Sequence, residues 1–188
     1  MRIAGEDAFR RRDRVRNPTF AILAAAVLFV AACGGTAAPS ASPTQANQLT
    51  YGADLKASNE VPPITDDEKN ANGTATITFD LTRDSAGKIT AATAKFDFSV
   101  KDLTPASKVT LAHIHGAPAG QNGNVLVNTG LSADTGLTGA TVTFPTKTGV
   151  TVDPALMQQI IDNPGNYYFN VHSALHGGGV VRGQLTKK

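Results

Sequence analysis

Four histidines are the residues of this sequence whose type and spacing could support chemistry. His113 and His115 lie in an Ala-His-Ile-His-Gly segment, and His172 and His176 lie in a Val-His-Ser-Ala-Leu-His segment. On a β-strand, residues two apart project from the same face and lie about 6.5–7 Å apart along the chain. Neutral imidazole is a good ligand for copper and zinc. If the two segments are neighbours in the fold, three or four imidazoles could therefore bind one metal ion.

Two other interpretations of these histidines stay open from the sequence. In the first, the imidazoles hydrogen-bond to backbone carbonyls at a loop-rich end of the fold, and Ala112, Ile114 and Gly116 are the packing residues. In the second, the site belongs to a redox enzyme of the dismutase type, which needs an open coordination position and usually a carboxylate behind one imidazole. No acid lies next to either histidine pair, so the sequence favours binding over catalysis. The nearest acids along the chain are Asp102, Asp134 and Asp162.

The segments that hold these histidines must be positioned by short strands. Apolar and polar residues alternate in several places, as with Ile77, Phe79 and Leu81. Alternation with a period of two is the pattern of half-buried antiparallel strands. The same pattern predicts that Tyr167 and Phe169 belong to the core. Strands are predicted at 49–58, 74–81, 95–100, 107–115, 124–128, 140–145, 166–172 and 179–186.

One segment, from Asp153 to Asp162, has a helical pattern. Asp153 can serve as the N-cap, and Pro154 is favourable in the first turn of a helix. The frequent glycines and prolines elsewhere, 18 and 10 in number, favour short strands and turns over long helices. The sequence therefore predicts an all-β fold, an antiparallel β-sandwich with one short helix.

The first 32 residues have the pattern of a lipoprotein signal peptide. An arginine-rich segment precedes an uncharged, mostly apolar run from Phe20 to Ala32. That run is shorter than the ~20 apolar residues of a membrane-spanning helix and fits a signal-peptide core. The segment Val30-Ala31-Ala32-Cys33 resembles the lipobox of bacterial lipoproteins, and Cys33 is the only cysteine. Cleavage before Cys33 would leave it with a thioether-linked diacylglycerol and an N-linked palmitate, which anchor a protein stably.

Such an anchor predicts an exported protein held at the bacterial cell membrane or on the cell surface. The alternatives are an uncleaved anchor helix, or cleavage near Ala32 that leaves Cys33 as a free thiol. Residues 33–48 lack apolar periodicity and are predicted to be a disordered linker before a domain at 49–188. Residues 33–188 carry 11 Lys and Arg against 12 Asp and Glu, which gives no electrostatic basis for binding nucleic acid. The expected partners are the membrane and a protein or cell-envelope ligand.

Three motifs of the domain resemble those of the CHRD domain, the chordin-type domain. The segment 59–63 (Asn-Glu-Val-Pro-Pro) resembles its first motif, and 112–116 (Ala-His-Ile-His-Gly) resembles its central motif. Residues 163–172 and 178–185 resemble its C-terminal motif. The three motifs come in the order of the family and span about residues 49–187. The motif residues that the resemblance singles out are Glu60, Pro62, Pro63, Gly116, Asn170, Arg182 and Gly183.

The resemblance implies an immunoglobulin-like β-sandwich, similar to that of copper/zinc superoxide dismutase, with no established reaction or cofactor. In animal chordin the domain belongs to a protein that binds growth factors. The resemblance therefore favours a non-catalytic binding or structural module, with a copper or zinc site at the four histidines as the alternative. The chain departs from the family at Val180, where an acidic residue is common, and His176 lies outside the usual pattern. Arg182 would either hold an anion near the histidines or cap carbonyls at one end of the sandwich.

Overall fold

The structure, a computed structural model, describes residues 47–135 and 137–188. The predicted signal peptide, Cys33 and all but the end of the predicted linker lie outside the described residues, so those expectations stay predictions. None of the helices in residues 47–135 and 137–188 combines the length and the apolar character that a membrane span requires.

Antiparallel strands dominate the described residues, and one α-helix, α1 (Pro154–Asp162), connects two of them. Every strand pairing between them is antiparallel. The strands are β1 (Gln48–Lys56), β2 (Asn72–Arg83), β3 (Ile89–Lys101), β4 (Lys108–Gly116), β5 (Asn124–Asn128), β6 (Leu137–Thr138), β7 (Thr141–Thr143), β8 (Lys147–Val152), β9 (Tyr167–Ser173), β10 (Val181–Gln184) and β11 (Thr186–Lys187).

The long hairpin of β2 and β3 forms because buried and less buried residues alternate along β2 and because Asp84 favours a turn between the two strands. Ile77 and Phe79 of β2 are fully buried, and Thr78 between them is not. The turn between the strands is closed by the carboxylate of Asp84, whose Oδ1 accepts from the backbone N–H of Ala86 at 3.0 Å and of Lys88 at 2.9 Å. An aspartate that binds the backbone two residues on is a common way to start such a turn.

The strands form one hydrogen-bonded sheet in the order β5-β4-β9-β10-β1-β2-β3-β7, with β6 on β4, β8 on β3 and β11 on β1. The sheet folds into two layers that pack face to face. The ring centroid of Phe169 in β9 lies 5.2 Å from that of Phe98 and 5.9 Å from that of Phe96, both in β3. These are the distances of interacting aromatic pairs. The predicted all-β sandwich with one short helix is confirmed.

Helix α1 begins where the sequence predicts. The Oδ1 atom of Asp153 accepts from the backbone N–H of Ala155 and of Leu156, both at 2.9 Å. These bonds satisfy two N–H groups that have no partner within the helix. Met157 and Ile160 are fully buried, so one face of the helix is fixed against the sandwich.

Strand β9 differs from the sequence prediction, which gives it one buried and one exposed face. All seven of its residues are buried. The reason is that β9 lies between β4 and β10, and its outer face is covered by the loops 57–71 and 117–123, which bind Arg182 of β10 through backbone carbonyls. The sequence also does not predict β6, β8 and β11, because these strands are short or mostly exposed and show no alternation of buried residues.

Candidate metal centre

The pairing of β4 with β9 brings three of the four histidines together. His113 lies opposite Asn170 and His115 lies opposite Tyr168, while His172 follows Asn170 by two residues on β9. Opposed residues of an antiparallel pair, and residues two apart on one strand, project from the same face. The three imidazoles therefore share the face of the sheet that points away from the sandwich core.

The three imidazoles form a buried cluster. His113, His115 and His172 are 6%, 7% and 6% exposed. One ring nitrogen of each lies within 4.8 Å of those of the other two, and Nδ1 of His113 is 3.2 Å from Nε2 of His172. Three imidazole nitrogens at this spacing form a set that could hold one metal ion.

Backbone carbonyls fix which nitrogen carries the proton in two of the rings. Nδ1 of His115 is 2.9 Å from the carbonyl oxygen of Gly123, and Nδ1 of His172 is 3.0 Å from that of Gly177. A carbonyl oxygen only accepts, so both Nδ1 atoms are protonated and both Nε2 atoms carry a lone pair. Nε2 of His172 accepts from Nδ1 of His113. Nε2 of His115 is buried without a hydrogen-bond partner. Metal-binding imidazoles are typically oriented in this way, by an acceptor behind the ring.

Burial keeps these imidazoles neutral. Desolvation, together with the neighbouring His172 and His115, lowers the pKa of His113 to about 4. Desolvation also lowers the pKa of His115 and of His172, although the hydrogen bond from each ring to its carbonyl acts in the opposite direction. Because the neutral ring is the form that binds metal, the cluster keeps its lone pairs in weakly acidic solution.

An aromatic stack links the cluster to Arg182. The rings of His115 and Tyr168 stack with centroids 4.9 Å apart and planes 10° from parallel. The guanidinium of Arg182 lies over the Tyr168 ring, 4.7 Å from its centroid. The N–H of Gly123 donates to the Tyr168 hydroxyl at 3.2 Å. Gly123 therefore holds His115 through its carbonyl and Tyr168 through its N–H.

Arg182 caps loop carbonyls, as one of the two sequence interpretations predicts. Its Nε donates to the carbonyl of Asn59 at 2.7 Å, and its Nη1 donates to the carbonyl of Gln121 and to Oδ1 of Asn122, both at 3.0 Å. The carboxylate of Glu60 lies 3.5 Å from the same Nε, and both side chains are buried. Arg182 thus ties the loops 57–71 and 117–123 over the outer face of β9.

Glu60 supplies a buried carboxyl group beside Arg182. Burial raises the pKa of Glu60 to about 7, and the Arg182 guanidinium opposes that rise. Oε1 of Glu60 and Oδ1 of Asn170 have no hydrogen-bond partner. They lie 2.8 Å and 2.6 Å from the position that a Cβ on Gly179 would occupy, so only glycine fits there.

The fourth histidine, His176, lies apart from the cluster. Its Nε2 is 3.3 Å from Oδ2 of Asp66 and 3.4 Å from Oε2 of Glu68. Glu68 is fully buried and also accepts from the backbone N–H and hydroxyl of Thr104 and from the hydroxyl of Ser173. His176 therefore connects the turn after β9 to the loop 57–71, and the fold does not bring it to the other three histidines.

The remaining motif residues shape the backbone around this region. Gly183 allows β10 to approach β1 closely, because a Cβ there would collide with the carbonyl of Asp54. Gly116 ends β4, and Pro62 and Pro63 belong to the loop that carries Glu60. Two of the acids that are nearest to the histidines in sequence bind elsewhere, since Asp102 accepts from Asn72 and Asp162 accepts from Gln158.

Comparison with known proteins agrees with the motifs. The model of the CHRD domain family matches residues 51–185, which confirms the resemblance seen in the sequence. No curated protein and no solved structure matches the chain. The CHRD domain is not a known enzyme family, and the match supports a binding or structural module.

Replacing His113 with Gln should reduce the loss of stability that acid causes. Burial lowers the pKa of His113 from 6.5 to about 4, so the unfolded chain binds the proton more readily in this range. The contribution of His113 to stability is therefore fully present above pH 6.5 and is lost as the pH falls towards 4. Urea denaturation between pH 4 and 8, with a chelator present, should show a flatter dependence in His113→Gln than in the parent.

Glu60→Gln provides a control of opposite sign. The folded protein holds the Glu60 proton more tightly than the unfolded chain, because its pKa is raised from 4.5 to about 7. That contribution is fully present below pH 4.5 and is lost as the pH rises through 7. Glu60→Gln should therefore remove a loss of stability on the alkaline side, where His113→Gln removes one on the acid side.

A His113→Gln protein with the same pH dependence of stability as the parent would contradict a buried, neutral His113.

Proposed function

We propose that this protein, which belongs to the CHRD domain family, binds one copper or zinc ion through His113, His115 and His172. The ion serves a binding or structural module and not a catalytic reaction. Cys33 anchors this module to the outer side of a bacterial membrane. One observation carries the metal proposal, namely that three buried imidazole nitrogens converge within 4.8 Å of one another.

The spacing of the His113 and His172 nitrogens fits a metal ion. Histidine nitrogens bind zinc at about 2.0–2.1 Å, so two such ligands of a tetrahedral or trigonal ion lie about 3.3–3.6 Å apart. The 3.2 Å between Nδ1 of His113 and Nε2 of His172 is close to that value. Nε2 of His115, buried and without a partner, supplies the third ligand. A buried nitrogen without a partner costs free energy, which a bound ion would recover.

Neighbouring groups of the chain orient the imidazole rings for metal binding. The carbonyls of Gly123 and Gly177 hold two imidazoles by Nδ1, which leaves their Nε2 atoms to bind the ion. Tyr168 stacks on His115 and keeps water from that side of the ring. His113 can use Nδ1 as a ligand once its proton moves to Nε2. When bound, the ion would cross-link the neighbouring strands β4 and β9.

The charged side chains of the region support binding over catalysis. A reaction that moves protons needs an acid or base within reach of the site. Glu60 contacts Arg182, and Glu68 contacts His176 and Thr104, so each carboxylate is engaged in holding a loop. Within residues 47–135 and 137–188, the ligand set contains imidazoles alone.

The location outside the cytoplasm is supported by the lipobox and by the kind of ligands. Cys33 is the only cysteine, so its acylation would leave the mature protein without a free thiol. Thiolate ligands are vulnerable to oxidation in extracytoplasmic surroundings. A site built from imidazoles avoids that vulnerability, which suits a metal-binding module displayed on a lipid anchor.

Removing two ligands should abolish tight metal binding. In the full chain carrying Cys33→Ser, which removes the thiol, His113→Ala/His115→Ala should bind Zn²⁺ more than about 100-fold more weakly than the parent. Losing a contact behind a ligand already costs about 10–100-fold, and here the ligands themselves are lost. His176→Gln is the matched control and should stay within about tenfold of the parent, because His176 lies outside the cluster. Competition with a chromophoric chelator measures these affinities, and equal affinity in the parent and the double variant would eliminate the site.

Mass spectrometry of the mature protein tests the anchor. Expressed in a bacterium that processes lipoproteins, the chain should yield an N-terminal peptide that begins at Cys33 and carries a diacylglycerol and a palmitoyl group. The Cys33→Ser chain should lack both groups and should not fractionate as a lipoprotein, since stable anchoring needs more than one acyl chain. An unmodified Cys33 thiol in the mature protein would rule out the lipid anchor.

A further inference from the structure

The three residues that could hold an ion at this site carry no negative charge. Its ligands are neutral imidazoles, and their hydrogen-bond partners are one another and the carbonyls of Gly123 and Gly177. In the part of the chain that the structure describes, the set of side chains able to hold a metal ion includes no carboxylate. The positive charge of a bound ion would therefore not be offset by a negatively charged ligand.

The charged group that the aromatic stack brings towards the site is a cation. The strand order places Tyr168 of β9 between His115 of β4 and Arg182 of β10, and the Tyr168 ring contacts both side chains. The carboxylate of Glu60 lies against Arg182, 3.5 Å from its Nε. Glu60 thus contacts the guanidinium, and the positive charge of Arg182 on the far side of Tyr168 disfavours a second positive charge on an ion among the histidines.

Because the site is buried, the charge of the ion determines how much free energy its desolvation costs. The three ligand residues are at most 7% exposed, so an ion bound between them loses most of its hydration. The cost of desolvation grows with the square of the charge, so a dication costs about four times as much as a monocation. Imidazole nitrogen is a suitable ligand for copper, and copper offers a monovalent state that zinc does not.

We infer that the site selects the monocation Cu⁺ over the dication Zn²⁺. This inference rests on the proposed metal-binding function and adds to it the charge of the ion. Three neutral nitrogens in a buried setting without an anion hold a monocation at the lowest electrostatic cost. The domain would accordingly bind copper in its reduced form.

Asn170 offers a test that changes charge without changing size. It lies opposite His113 of β4 and opposite Arg182 of β10, it is 2% exposed, and its Oδ1 has no partner. Asn170→Asp would introduce a carboxylate, which attracts a dication about twice as strongly as a monocation at the same distance. Asn128→Asp is the matched control, because Asn128 is the neighbour of His113 on β5 and is exposed to water, which screens the charge.

The experiment measures affinities for Cu⁺ and Zn²⁺ in the full chain carrying Cys33→Ser, purified in detergent. Cu⁺ is supplied without oxygen, with ascorbate, in competition with a Cu⁺ chelator, and Zn²⁺ competes with a zinc chelator. The parent should bind Cu⁺ at least about tenfold more tightly than Zn²⁺, because of the difference in desolvation cost. Asn170→Asp should lower the ratio of the two affinities by about 10- to 100-fold. Asn128→Asp should leave that ratio within about threefold of the parent.

The outcomes separate this inference from the proposed function. Zn²⁺ binding that equals or exceeds Cu⁺ binding in the parent, and is lost in His113→Ala/His115→Ala, would overturn the inference and leave the metal site standing. Binding of neither ion would overturn both. A folded Asn170→Asp chain with the parent ratio would also overturn the inference, and if that chain does not fold, the ratio in the parent decides.

Discussion

The antiparallel pairing of β4 with β9 is the interaction on which the histidine cluster depends. Its register sets His113 beside Asn170 and His115 beside Tyr168. A slip of one residue would turn every side chain of a strand to the opposite face. That slip is prevented from the core side, where Phe169 is fully buried and packs against rings of β3. The alternation that fills the core therefore also presents the imidazoles together on the outer face.

The loops that cover this outer face impose the second constraint. Polar groups buried beneath a loop must find hydrogen-bond partners or they cost free energy. Nε and Nη1 of Arg182 meet this requirement by donating to carbonyls of both loops, although its Nη2 has no partner. Gly123 meets it by binding His115 and Tyr168. The buried side-chain atoms without a partner include Nε2 of His115. His115 belongs to the three-histidine cluster, where a bound ion would satisfy that atom.

Local patterns predict most of the fold and only part of the site. Alternation identifies β2 and β3, and the capping preference of Asp153 identifies the start of α1, because these signals lie within a few residues. The meeting of His113 with His172 joins positions 59 residues apart and depends on strand pairing, which leaves no local signal. His176 shows the limit most clearly. It follows His172 by four residues and is grouped with the other histidines from sequence, yet the turn after β9 directs it to Glu68. The burial of both faces of β9 is not predicted from the sequence for the same reason, since the loops that cover its outer face are distant along the chain.

Anomalous diffraction would test most directly whether three imidazoles bind one ion. Crystals of the protein grown with copper or with zinc would be measured at the absorption edge of that metal. One anomalous peak is expected about 2.0–2.1 Å from a ring nitrogen of each of His113, His115 and His172. A peak between His176 and Glu68, or no peak at the three-histidine cluster, would contradict the proposed site.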